Sequence, residues 1–144
     1  GYPLDLNLYQ AVKGMSAAAQ VVQEGGTIMC AAECSDGVPD HGEYRKILSE
    51  AEGPRDLLER ITAPDYNRHD QWQVQIQAQI QLKAEVKLKS GYLTADQVRA
   101  AHLDPIDDLQ VAVEAATQKH GAGARICVLP QGPQTIPYLD TQRL

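Results

Sequence analysis

Short apolar runs at residues 27–32 and 125–129, a mixed segment at 85–89 and helical periodicity between them predict an α/β fold. The expected architecture is a three-layer sandwich around a mostly parallel, Rossmann-like central sheet. The 144 residues suffice for one domain that buries its own core without a staple. With no Phe in the chain, that core falls to Leu, Ile, Val, Ala and Tyr.

The first helix follows a turn. Pro3 fixes its own φ and biases Tyr2 away from the helical region. Asn7 is placed to cap the helix, with Gln10 three residues on to complete a capping box. Leu8, Ala11, Val12, Met15, Ala18, Ala19 and Val22 recur on one apolar face. Gln10 and Lys13 lie on the other side, beside Tyr9. A helix start carries outward N–H groups, and an added amide and ammonium make a plausible clamp for a carboxylate or phosphate. A solvated polar face is the plainer reading of the same residues.

Gly25 and Gly26 end that helix, and residues 27–32 read as a buried strand covered on both faces. Residues 33–42 form a polar loop. Helices are expected at 43–49 and 55–61, the second with Pro54 at its first position. From Trp72 to Leu82 apolar residues alternate with glutamines, a period that argues for a strand. Continued to Lys89, such a strand would be far longer than usual, and Gln, Ala, Leu and Lys favour helix. Residues 71–83 are therefore expected as a helix, with Trp72, Ile76 and Ile80 sharing a face, and 85–89 as a strand. Thr94 and Gln97 form a capping box for a helix to Ala101, and Asp104-Pro105 marks a boundary. The last long helix runs over 106–119, burying Leu109, Val111, Ala112, Ala115 and Ala116, and 125–129 is a second clear buried strand. Residues 130–137 form a loop over that strand's end.

The net charge of −6 disfavours a nucleic-acid partner, because Lys83, Lys87 and Lys89 are too few and are offset by Glu85. No apolar run is long enough for a membrane span. Asp5, Asn7 and Gln10 interrupt any signal-peptide core. Cys30, Cys34 and Cys127 lack metal-finger spacing; Cys30 and Cys127 are expected buried and Cys34 partly exposed, which suits a reducing cytoplasm.

Loops at the carboxyl ends of parallel strands are where such sheets bind ligands. Asp36, Asp40, His41 and Glu43 are the one cluster there with hard-metal or acid–base character, but without a recognised metal spacing. His69-Asp70 has the composition of an acid–base pair, and a capping role before the following helix is the simpler reading. The glycines precede a strand and make no dinucleotide fingerprint, and no nucleophile elbow is present.

Gly1-Tyr2-Pro3-Leu4-Asp5 followed by Tyr9-Gln10-Ala11-Val12-Lys13-Gly14 resembles the opening of the C-terminal domain of the nickel-dependent lactate racemase family. The resemblance continues at Glu24-Gly25-Gly26, Ser35-Asp36-Gly37, His69-Asp70-Gln71-Trp72-Gln73-Val74-Gln75 and Leu129-Pro130-Gln131-Gly132-Pro133. It implies that residues 1–144 are a single α/β domain, the C-terminal part of a two-domain enzyme that inverts a 2-hydroxy acid. In that family hydride moves reversibly from substrate Cα to a nickel pincer nucleotide, leaving a planar 2-keto acid. The resemblance assigns the nickel-binding histidine, the cofactor-anchoring lysine and the paired acid–base histidines to an N-terminal domain outside this sequence. By motif, Tyr9 and Trp72 would be aromatic walls, and Gln10 and Lys13 would contact substrate or cofactor. The implied partners are that N-terminal domain and a small anionic 2-hydroxy acid, with no metal ligand or catalytic residue here. Two other readings stand beside it: a non-catalytic binding or assembly domain on the same scaffold, and a hydrolase or metal enzyme using the 36–43 loop.

Overall fold

The computed structural model describes residues 1–138. Its elements are α1 (Leu8–Ala19), β1 (Thr27–Ala31), α2 (Tyr44–Ser49), α3 (Pro54–Ile61), α4 (Gln71–Lys83), β2 (Glu85–Lys89), α5 (Ala95–Ala100), β3 (Asp104–Pro105) and α6 (Leu109–His120). A short 3₁₀ turn, Gly132–Gln134, follows. The three strands lie in the order β1-β2-β3, all parallel, with Thr27 opposite Glu85 and Lys87 opposite Asp104. This is the α/β sandwich with a parallel sheet that the periodicity predicts.

Ile28, Val86 and Leu88 are buried on one face of the sheet, in one core with Val12 and Met15 of α1 and Val74 of α4. The other face carries Thr27, Glu85 and Lys87, none of them buried. The strands are therefore covered fully on one side rather than both. Across the second face lies α6, with Ala112, Ala115, Ala116 and Lys119 around a small cavity against Glu85 and Lys87. None of its residues is buried, contrary to the expected apolar side. Polar contacts fix its last turn instead: Lys119 Nζ donates to Glu85 Oε2 at 2.9 Å, and His120 Nε2 is 2.9 Å from Thr27 Oγ1.

α4 settles the conflict between period two and period 3.6 in favour of helix. Its buried residues are Gln73, Val74, Gln77, Ala78 and Ile80, so an amide stripe of Gln73, Gln77 and the half-buried Gln81, four residues apart, faces inward beside the apolar residues. Gln73 Nε2 donates to the Tyr9 carbonyl at 2.8 Å and Gln77 Nε2 to the Ala101 carbonyl at 2.7 Å, while Gln81 Nε2 donates to the His102 carbonyl. Gln77 Oε1 also accepts from the buried Tyr44 hydroxyl. Gln73 and Gln77 are as buried as the core aliphatics because their amides are matched to partners. Of the expected apolar face, Ile80 is buried, Ile76 partly so, and Trp72 is exposed.

Residues 125–129 form no strand; Ile126, Cys127 and Val128 are exposed, and the third strand is β3 instead. Asp104-Pro105 thus pairs with Lys87-Leu88 rather than merely marking a boundary, and α6 begins at Leu109, capped by Asp108 Oδ1 accepting from Val111 N–H at 3.0 Å. The 130–137 segment lies on α1: a Cβ on Gly14 would meet the Pro133 ring at 3.6 Å. Cys34 is fully buried, where part exposure was expected, and Cys30 is half-buried. Burial pushes both thiols up, to about 11 for Cys34 and about 12 for Cys30. Among the described residues no helix is long and apolar enough to cross a membrane.

Replacing Gln77 with Leu should leave the Tyr44 hydroxyl and the Ala101 carbonyl without their partner. The cost is about 2 kcal/mol or more by chemical denaturation, whereas Gln79→Leu, on the exposed side of α4, should fall within about 0.5 kcal/mol. Equal effects would mean that the amide stripe contributes nothing specific. The hydrogen bond from Lys119, followed by that from Lys87, holds Glu85 down at about 2. A depressed carboxyl stabilises the fold above its ordinary range near 4.5 and loses that contribution as pH falls toward 2. Glu85→Gln should flatten acid melts over that window, by about 1 kcal/mol or less because the pair is largely exposed.

Candidate functional site

The carboxyl end of β1 turns back at once onto the start of α1. Cys34 N–H donates to the Asp5 carbonyl at 2.9 Å, Asp36 N–H to the Leu6 carbonyl at 2.8 Å, and Leu8 N–H to the Gly37 carbonyl at 3.0 Å. Asn7 caps α1 through Oδ1, which accepts from Gln10 N–H at 3.1 Å. Its Nδ2 reaches Asp36 Oδ2 at 3.4 Å. The start of α1 is thus pinned where parallel sheets present ligand-binding loops.

The start of α4 is brought to the same place. Trp72, the single Trp of the chain, meets Tyr9 edge to face at 5.8 Å between ring centroids and 89° between planes. Tyr9 in turn meets Tyr44 of α2 at 5.3 Å and 74°. Tyr44 is wholly buried, Tyr9 half-buried, and Trp72 is 50% exposed. The three rings therefore form a stair from core to solvent, with geometry that aromatic quadrupoles favour. Burial pushes the Tyr44 and Tyr9 hydroxyls up, and the nearby Asp70 charge adds to the rise at Tyr9. Both are neutral phenols at physiological pH.

Asp70 does not cap its own helix. It adopts a left-handed φ of 68°, and Oδ2 accepts the Glu43 N–H at 3.1 Å, satisfying the first turn of α2. Oδ1 lies 3.4 Å from His69 Nε2. Arg68 Nε donates to Glu43 Oε2 at 2.6 Å, and the same guanidinium reaches Glu50. Its hydrogen bond to Glu43 holds that carboxyl below its ordinary range. These contacts tie the α4 start to α2 and so fix where Trp72 projects.

Of the residues singled out in the sequence, Tyr9 and Trp72 are in contact. Lys13 is exposed one turn beyond Tyr9, on the same helical face because the two are four residues apart. Gln10 is half-buried three residues before Lys13, and its side chain makes no hydrogen bond among the described residues. Tyr44 and Arg68 complete the arrangement without being singled out in the sequence, while Asp70, expected there to cap α4, bonds to Glu43 of the α2 start instead. Aromatic character flanked by a left-handed Asp leaves no spacing signal from which to find them. In the 36–43 loop the carboxylates diverge: Asp36 faces Asn7 and Glu43 faces Arg68. Among the described residues no group of three His, Cys, Asp or Glu side chains could hold a metal ion.

The arrangement brings two helix starts and a half-exposed aromatic pair together in an α/β domain, with a Lys13 ammonium that makes no ion pair among the described residues. The family model of the lactate racemase C-terminal domain matches residues 1–136. A lactate racemase from Thermoanaerobacterium thermosaccharolyticum is 36% identical over 138 residues, covering 94% of this chain and 32% of that protein. One from Lactiplantibacillus plantarum is 37% identical over 134 residues, covering 92% and 31%. The solved structure of the T. thermosaccharolyticum lactate racemase apoprotein superposes with a TM-score of 0.74 at 33% identity, covering 82% of this chain and 28% of that one. The chain belongs to the lactate racemase C-terminal domain family, and it spans about a third of the length of the curated relatives it matches.

Gly42 lies against this site at φ +90°, and a Cβ there would sit 2.3 Å from Asp70 Oδ2. Gly37 has a similar φ of +68° but nothing within 4 Å of its would-be Cβ. Gly42→Ala should therefore destabilise more than Gly37→Ala, by about 1–3 kcal/mol, because it displaces the Asp70–Glu43 bond as well as straining the backbone. Trp72 fluorescence should shift in the first variant alone. Matching losses without a shift would show that Asp70 does not govern the placement of Trp72.

Proposed function

We propose that this chain is the C-terminal domain of a lactate-racemase-like isomerase that inverts a small 2-hydroxy acid by reversible hydride transfer to a nickel pincer nucleotide. The observation that carries the reading is the Tyr9–Trp72 edge-to-face pair with Lys13 on the same face of α1. These are residues on which the family resemblance falls. A 2-hydroxy acid is an anion, and Lys13 supplies the cation for its carboxylate through a charge-assisted hydrogen bond. Gln10 supplies a neutral donor or acceptor beside it. Inversion passes through a flat 2-keto acid, and the half-exposed Trp72 ring offers a surface that excludes water from it.

The side chains described here do not fit as a nickel-binding set, so the reading gives this domain the organic part of the contacts. When bound, the cofactor supplies the hydride-accepting centre. The metal ligands, the cofactor-anchoring lysine and the acid–base histidines fall to an N-terminal domain of the same polypeptide, and this domain alone is inactive. The free cysteines accord with a reducing, cytoplasmic setting.

In the full-length protein, Lys13→Ala should lower kcat/KM for a 2-hydroxy acid by about tenfold to a hundredfold, the equivalent of about 1.5–3 kcal/mol. Stability should change by less than about 0.5 kcal/mol, because Lys13 is exposed. Steady-state kinetics with both lactate enantiomers, paired with a thermal melt, reads the two quantities separately. Unchanged kinetics would remove Lys13 from the site.

A further inference from the structure

The five residues Arg125-Ile126-Cys127-Val128-Leu129 have the composition of a strand, yet they stand outside the sheet. Among the described residues none of their backbone N–H or C=O groups has a hydrogen-bond partner. Ile126 is 65% and Val128 75% exposed, and on a β-strand the two would share one face.

This is not a frayed end. Before the segment, the last turn of α6 is held by Lys119 on Glu85 and His120 at Thr27. After it, Gly132–Gln134 seats on α1, where a Cβ on Gly132 would lie 3.2 Å from the Gly14 Cα. The family match also runs through to residue 136, so the segment belongs to the domain. The fold has an open edge of its own: Thr27, Met29 and Ala31 turn their backbone groups away from β2, because the alternate residues Gly26 and Ala32 bond to Glu85 and Lys89. Although tethered at both ends to this domain, the segment does not use that edge. An exposed, apolar, unpaired strand is otherwise a liability that proteins blunt with charge or cover.

We propose that residues 125–129 form a docking strand that pairs with a sheet edge in the remaining two-thirds of the parent polypeptide, joining the two parts through main-chain hydrogen bonds. The inference rests on the reading of this chain as one domain of a longer enzyme. It is argued from the third of the relatives' length that the chain spans and from the unspent pairing capacity of the strand. The tether after the strand sits at Gly14, so a partner docked on it lies close to α1.

The test is amide hydrogen exchange at residues 125–129, which reads pairing and not turnover. In the 144-residue chain at low micromolar concentration these amides should exchange freely. In the full-length polypeptide they should be protected by about a hundredfold or more. Cys127→Pro and Val128→Pro each delete one N–H, of opposite orientation along the strand, so one of them should abolish the protection while leaving the melt of the 144-residue chain unchanged. Protection already present in the isolated chain would assign the strand to its own β1 edge. Protection that grows with concentration alongside dimer formation would assign it to a second copy. Free exchange in both forms would mean that it pairs with nothing, and each of these three results overturns the proposal. Protection in a full-length protein without racemase turnover would keep the docking strand and remove the isomerase reading instead.

Discussion

Three amides on one face of α4 hold the domain in register. Gln73, Gln77 and Gln81 reach out of the helix to the carbonyls of Tyr9, Ala101 and His102, carbonyls at the start of α1 and at the end of α5. Apolar packing alone is indifferent to small slides of one helix along another. A buried amide is not, because a shift of an ångström leaves both donor and acceptor unpaired at a cost of about 1–3 kcal/mol each. The bond from Gln73 to Tyr9 is the one that matters most for the site. It sets the start of α1 against the first turn of α4 and so determines that Tyr9 and Trp72 meet edge to face.

The electrostatic frame around the aromatic rings depends on that placement. Asp70 can satisfy the Glu43 N–H only if the α4 start faces α2, and it accepts a left-handed backbone to do so. Arg68 then bridges Glu43 and Glu50, drawing both carboxylates onto one guanidinium beside the α4 start. Lys13 makes no ion pair among the described residues. Gln73 and Gln77 hold the scaffold through inward hydrogen bonds, whereas the Lys13 ammonium is exposed.

Much of this order was legible in the sequence where local chemistry decides it. Asn7 and Thr94 mark helix starts through their own side-chain caps, and Pro54 opens α3. The helix over Gln71–Lys83 follows from length and propensity despite its alternating pattern. The burial of that helix follows only in part: Val74, Ala78 and Ile80 are inside as hydrophobicity places them, but Gln73 and Gln77 are buried and Trp72 is exposed against it. The reversal depends on carbonyl partners supplied by segments far away in the chain, which no local pattern reports. Residues 125–129 and the apolar positions of α6 failed for a related reason. Both have the composition of buried elements, and burial needs a neighbour that the described residues do not supply.

That shared reason links the unpaired strand to the exposed site. Trp72, Lys13, the 125–129 strand and α6 all carry groups whose usual complement is missing from the described chain, and they are reached from elements that are themselves rigidly held. A domain that had merely packed poorly would show loose caps and unpaired polar groups near these positions. Here the Asn7, Thr94 and Asp108 caps are formed, and the backbone bonds of the 33–37 loop to the α1 start are in place. At the α4 start no side chain caps the helix, and Trp72 is placed by its contact with Tyr9 and by the Asp70 and Arg68 bonds to Glu43 instead. A Trp72 ring already set edge to face on Tyr9 has less side-chain freedom to lose on any association, which is where preorganised interfaces gain their affinity.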